Sequence, residues 1–206
     1  MKLYKILCSA IPLLGFMCVS QAMACADYES IDPTELKSMR DVLVKEDADP
    51  IDRLTVFQLL MCSDQPAIRA YAIDVGKQTS DVILQAEVVA AALSELDQLD
   101  IKLVPADNLN DKARKYVERV KSSLSFIVRS RSRSGACVGL IKREVDLCPI
   151  GARASALGST VEFSFDVNSR NLSGAFALAT TGDMIGYIES HSPATGRIPA
   201  ILRLFP

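Results

Sequence analysis

The segment TVEFSFDV, Thr160 to Val167, decides what the C-terminal part of this chain must be. Val161, Phe163, Phe165 and Val167 alternate with Glu162, Ser164 and Asp166, which puts the apolar side chains on one face of a strand and the polar ones on the other. Asn168-Ser169-Arg170-Asn171 then reads as a turn. A second strand runs over Leu172 to Thr180 with Phe176 and Leu178 aligned, and Gly174 marks a close backbone approach. Thr181-Gly182-Asp183 is the next turn, Met184 to Ser190 a third strand, and Ser192 to Gly196 a loop. Ile198, Ala200, Leu202 and Leu204 share one face of a fourth strand. The pattern predicts an antiparallel meander with one buried face.

Upstream lies FIVRSRSRSGACVGLIKREVDLC, Phe126 to Cys148. Leu124, Phe126 and Val128 alternate with Ser123, Ser125 and Ile127, and Arg129, Arg131 and Arg133 continue that alternation against serines. On one continuous strand the three guanidinium groups would project at steps of about 6.5–7 Å. Such a row suits carboxylates of a protein partner or an anionic component of a cell envelope. The plain alternative is a solvated arm. Cys137 to Cys148 reads as a stapled hairpin with arms Val138–Ile141 and Val145–Leu147.

Before residue 123 the period is helical. Asp32-Pro33-Thr34-Glu35 opens a helix to Val44, with Leu36, Met39 and Leu43 on one side. Asp49-Pro50 opens the next, with Ile51, Leu54, Val56, Phe57, Leu60 and Met61 as its apolar set. Asp64-Gln65-Pro66 opens a third, with Ile68, Tyr71, Ala72 and Val75 inward and Gly76 at its end. Ser80-Asp81 opens a fourth, carrying Ile83, Ala86, Val89, Ala90, Leu93 and Leu96, and a fifth runs from about Asn110 to Val120. The expected class is α+β: a helical segment at 25–122, then an antiparallel β segment at 123–206.

Two helix openings repeat, Asp49-Pro50-Ile51-Asp52-Arg53 and Asp64-Gln65-Pro66-Ala67-Ile68-Arg69, and Asp81 follows Asp49 by 32 residues. Between Asp49 and Leu96 this resembles a HEAT-type helical repeat. The resemblance implies stacked helical hairpins and a protein-binding scaffold; a simple helical bundle is the alternative architecture.

The first 24 residues read as an export signal: Lys2 and Lys5, an apolar stretch from Ile6 to Val19, and the small-x-small site Ala22-Met23-Ala24. No later run is long and apolar enough to span a bilayer. Removing the leader leaves 182 of 206 residues and four of the six cysteines, Cys25, Cys62, Cys137 and Cys148. In an exported chain these read as two disulfides, Cys25–Cys62 and Cys137–Cys148. The first pairing follows from two antiparallel helices, which bring the start of one beside the end of the next. A cysteine at the first mature position also allows an outer-membrane lipoprotein anchored through Cys25, although Ala22 stands where such leaders carry Leu.

Charge is split along the chain. Cys25 to Asp111 holds 18 acidic and 7 basic side chains, a net of −11; Lys112 to Pro206 holds 7 acidic and 14 basic, a net of +7. Such halves attract each other or oppositely charged partners.

No nucleophile elbow, phosphate loop, dinucleotide fingerprint or paired Cys/His metal motif is present, so no cofactor or metal is expected. His191 is the one histidine, in a polar loop. Glu162 and Asp166 lie about 13 Å apart along one strand face, too far for either glycosidase geometry. With no Trp, a sugar-stacking cleft is disfavoured, and nucleic acid binding lacks the interleaved aromatics it needs. The expectation is a periplasmic or secreted, non-enzymatic protein-binding module, such as an inhibitor, immunity or assembly factor, touching its partner through Arg129, Arg131 and Arg133. The runner-up is an envelope glycan hydrolase using carboxylates.

Overall fold

A computed structural model describes residues 25, 31–45, 47–132, 136–142, 148–191 and 194–205. The leader at 1–24, Arg133 and the expected hairpin arm Val145–Leu147 lie outside these residues. Five helices precede or interrupt a nine-stranded antiparallel sheet: α1 (Pro33–Val44), α2 (Pro50–Met61), α3 (Pro66–Gly76), α4 (Val82–Glu95), β1 (Gln98–Leu103), α5 (Asp111–Arg119), β2 (Ser123–Ile127), β3 (Ser130–Arg131), β4 (Cys137–Gly139), β5 (Ala152–Leu157), β6 (Thr160–Val167), β7 (Arg170–Leu178), β8 (Met184–His191) and β9 (Ala194–Arg203). The α+β class expected from the sequence is the class observed.

The helix starts are local chemistry. Asp32, Asp49 and Asp81 each accept a backbone N–H of the first turn, at 2.8 to 2.9 Å, and Pro33 and Pro50 fill the position where no N–H is needed. Gln65 opens α3 without a side-chain cap. Gly76 does not serve as a left-handed end cap. It closes α3 in a helical conformation, and a β-carbon there would collide with Val88 and lie 3.5 Å from Phe57.

Two segments depart from expectation. Gln98–Leu103, expected within the helical part, is a strand whose Leu99, Ile101 and Leu103 are fully buried. It pairs with β2 on one side and β9 on the other. β5, with Ala152, Ala154 and Ala156 as its inward set, was hidden by small side chains of low strand propensity. The meander β6 to β9 stands nearly as predicted, with the first turn tightened to Asn168-Ser169, both left-handed as a two-residue hairpin requires.

The sheet order is β2-β1-β9-β8-β7-β6-β5-β4-β3. Consecutive strands β2 and β3 therefore occupy opposite edges, with only two residues between them. Val128 N–H donates to Asp97 O at 2.9 Å and Arg129 N–H donates to Gly139 O at 2.8 Å. Within one peptide the chain leaves the β1 side and joins β4, so the sheet must curl until its edges meet. The Phe126 ring of β2 lies 5.1 Å from Phe163 and 4.9 Å from Phe165 of β6, across the concave face. Tight curvature requires close backbones. A β-carbon on Gly174 would sit 2.6 Å from Tyr187 O, and one on Gly186 would overlap the Ala175 carbonyl.

α4 fills the concave face. It packs on β4, β5 and β6 with one side and on α2 and α3 with the other. Leu84, Val88, Val89, Ala92 and Leu93 are buried, as befits a helix apolar nearly all round. One continuous core joins Phe57 and Leu60 of the helices to Ile101, Phe163, Phe176 and Ile198 of the sheet. The helical layer thus ends at α4, because the sheet packs on its other face.

Candidate functional site

The arginine row is not a row. β2 ends at Ile127 and β3 is a separate two-residue strand at the other edge of the sheet, so Arg129 and Arg131 do not share one continuous strand. Arg131 closes the C-terminus of α4. Its Nε donates to Ser94 O and its Nη2 to Leu96 O, both at 2.7 Å, and Nη2 also reaches Asp97 Oδ1 at 2.9 Å. These carbonyls would otherwise end the helix unsatisfied, at the negative end of its dipole. Arg131 is therefore spent on the acidic helices of its own chain. Arg129 is exposed, and Arg133 lies outside the described residues. β4 is flanked by β3 and β5.

The disulfides are Cys25–Cys62 and Cys137–Cys148, with Cα atoms 4.9 and 6.1 Å apart. The first ties the chain before α1 to the end of α2. A Cys25 sulfur bonded to Cys62 cannot also carry an acyl thioether, so the lipoprotein reading loses its attachment point while this bond stands. All four cysteines being oxidised, none is a thiolate nucleophile.

His191 Nε2 meets Ser173 Oγ at 2.9 Å on the convex face of the sheet. Both sit on an open surface, and among the described residues no carboxylate bonds the other ring nitrogen, so the pair lacks the orienting acid of a hydrolytic triad. Glu162 and Asp166 face solvent opposite Ala175 and Asn171 rather than opposite each other. A groove of about 750 Å³ between α3, α4 and the start of β1 does bring Glu95, Asp100 and Asp183 to one surface. Each is already engaged by neighbouring side chains: Glu95 accepts from Arg69 at 3.1 and 3.2 Å, Asp100 from Gln98 and Ser125, and Asp183 from Thr181. Among the described residues no group of three His, Cys, Asp or Glu side chains could hold a metal ion, and no helix is long and apolar enough to cross a membrane.

The clearest anomaly is at the far end of the helical layer. Val44 closes α1, Ile51 opens α2, and Val82 and Ile83 open α4; they are 52%, 71%, 72% and 60% exposed. Their helix ends come together around Arg53. Its Nη2 lies 3.7 Å from Asp81 Oδ2 and its Nη1 lies 3.5 Å from Thr79 Oγ1, which ties the start of α2 to the start of α4. Asp81 meanwhile caps α4. Between these ends opens a groove of about 630 Å³ lined by Leu43, Val44, Arg53, Val75 and the loop Gln78-Thr79-Ser80.

No protein-family model, curated protein or solved structure matches this chain. Ile51 and Ile83 belong by sequence to the apolar sets of their helices. They lie in first turns that project past the packed part of the layer, so helical periodicity assigns them a face that has nothing opposite it. The one available signal was the Ile51 and Val82-Ile83 placement immediately after the caps Asp49 and Asp81.

Proposed function

We propose that this chain is an exported binding module of the bacterial envelope, stapled by two disulfides, whose partner is a protein. The observation that carries this reading is that four aliphatic side chains at the helix ends tied by Arg53, namely Val44, Ile51, Val82 and Ile83, are exposed, with Val44 lining the groove there. Large aliphatics held in solvent cost free energy that a partner's apolar surface recovers. They mark a contact surface better than the arginines do, since Arg131 is engaged within the chain. A role as inhibitor, immunity or assembly factor uses such a surface without chemistry. Two disulfides agree with residence in a periplasm or outside the cell.

The test is site-specific photo-crosslinking in cells exporting the protein. A cross-linker at position 51 is expected to give one discrete protein adduct, lost when Val82→Asp is added. A cross-linker at position 162, on the convex sheet face, gives none. Equal adducts from both positions, or an adduct indifferent to Val82→Asp, would remove the patch from the reading.

A further inference from the structure

A second surface, on the opposite layer, carries a different chemistry. Lys102 of β1, Lys121 after α5 and Arg203 of β9 converge on a groove of about 320 Å³, together with Ser122, Ser123 and Asp100. We propose that this groove is an oxyanion site that takes a phosphate group.

The strand register sets the convergence. Lys102 stands directly opposite Ser123, and Arg203 stands opposite Asp100, one step along the same face. Cross-strand neighbours are about 5 Å apart and diagonal ones about 7–8 Å, within the span of a Lys and an Arg reaching one tetrahedral anion. Lys121 arrives from the side. Lys121 and Ser122 both adopt left-handed backbone, φ 54° and 56°, and Lys121 N–H and Ser122 N–H close on Glu118 O and Val117 O at 3.1 and 3.0 Å. The turn is thereby held in place by backbone bonds.

Three features favour an anion over a plain charged surface. First, none of the three cations has a carboxylate within ion-pairing distance among the described residues, although Arg40, Arg53, Arg69, Lys77, Arg114, Arg131 and Arg197 all do. Like charges gathered on one sheet face destabilise it, and an anion between them removes that cost. Second, the one carboxylate present, Asp100, is turned to Gln98 Nε2 at 2.9 and 3.1 Å and to Ser125 Oγ, leaving a cationic excess in the groove. Third, the helix C-terminus beside it does not present bare carbonyls. Those of Tyr116, Val117, Glu118 and Val120 accept N–H groups of Val120, Ser122, Lys121 and Ser123, and Ser122 O accepts from Leu103 N–H. The hydroxyls of Ser122 and Ser123 have no partner within the described chain, so two donors accompany the three cations. Arg203 offers the planar fork that matches two phosphate oxygens, and the lysines offer point charges.

The phosphate could be free or a phospholipid headgroup, and two arms separate the sources. In the first, inorganic phosphate is titrated into the mature chain at constant ionic strength and followed by amide chemical shifts. Saturable shifts confined to Lys102, Ser122, Ser123 and Arg203 are expected, with affinity falling about tenfold or more for K121Q or R203Q. In the second, the protein is co-sedimented with phosphatidylglycerol vesicles and with phosphatidylcholine vesicles. Binding to the anionic vesicles that is lost in the K102Q/K121Q/R203Q variant assigns the phosphate to a headgroup; saturable shifts without vesicle binding assign it to a soluble ligand. The control K112Q/K115Q removes two exposed cations of α5 outside the groove and leaves both readouts unchanged. Shifts that are unsaturable, spread over every basic residue, or equal in the triple variant and the control would overturn the site, as would vesicle binding that survives the triple variant. All the substituted side chains are exposed, and a thermal melt of each variant verifies that it is folded.

Discussion

Arg131→Ala is the most informative single change, because it separates an arginine used for architecture from one left for a partner. Arg131 contributes two charge-assisted bonds to the carbonyls of Ser94 and Leu96 and an ion pair with Asp97. The ion pair adds little, since Asp97 is 99% exposed and surface pairs are worth about 0–1 kcal/mol. A bond from a charged donor is worth about 1.5–3 kcal/mol when buried. The Arg131 side chain is 41% exposed, so water replaces part of each bond in the variant. The expected loss is about 1–2 kcal/mol, read as a melting temperature lower by about 2–8 °C for a domain of this size. Arg129→Ala, whose side chain is exposed and makes no comparable bond, should stay within about 0.5 kcal/mol of wild type. Asp97→Asn should do the same, which locates the effect in the helix carbonyls and not in the ion pair. The assay is urea unfolding by circular dichroism on the oxidised mature chain. Equal destabilisation by Arg129→Ala and Arg131→Ala, or none by either, would refute the role of Arg131 as the seal of α4.

Other expectations follow from the same structure. Gly186→Val places a side chain against the Ala175 carbonyl and should cost about 3 kcal/mol or more, or prevent folding, as judged by unfolding midpoint and soluble yield. Removing Cys25–Cys62, which spans 37 residues, should cost about 3.8 kcal/mol on the chain-entropy relation, against about 2.8 kcal/mol for Cys137–Cys148, which spans 11; paired Cys→Ser variants compared in urea test the order. Ile51→Asp and Ile83→Asp should change stability by less than about 0.5 kcal/mol, because these side chains are exposed; a core-sized loss in the same assay would show them to be packed. Burial of Tyr116 raises its phenol above the ordinary value of 10.0, with partial opposition from Arg119 and Arg170. The folded state therefore holds that proton more tightly than the unfolded one. Its contribution to stability is complete below about pH 10 and is lost as pH rises through the folded value, and a phenolate absorbance titration should show a late component that Tyr116→Phe removes.

The local events of this fold were legible in the residues that make them. Asp32, Asp49 and Asp81 announce helix starts because a short acceptor before a first turn satisfies N–H groups within three residues of itself. TVEFSFDV announces a half-buried strand because alternation needs no knowledge of what lies opposite. β1 was legible in the same way, through Leu99, Ile101 and Leu103, but its shortness and its place between two helices masked it. β5 was not, because Ala152 and Ala154 carry little side chain and are chosen for the closeness of α4. The side of α4 that faces each layer was equally hidden: a helix apolar nearly all round has no preferred phase until its neighbours are in place.

By itself, then, the sequence determined the helices, the class and the strands of the meander with their buried face, which rest on interactions between near neighbours in the chain, and the layout of helices suggested the disulfide pairing. Only the tertiary structure decided what those elements do to one another. Joining β2 to β3 across two residues makes the sheet curl around α4, and that closure turns Arg131 inward to a helix end. It also gathers Lys102, Lys121 and Arg203 from three separate segments into one groove. The helical layer, ending where it does, leaves Ile51, Val82 and Ile83 in solvent. Contacts between residues far apart in sequence carry no local signature, because their free energy exists only once the chain has brought them together.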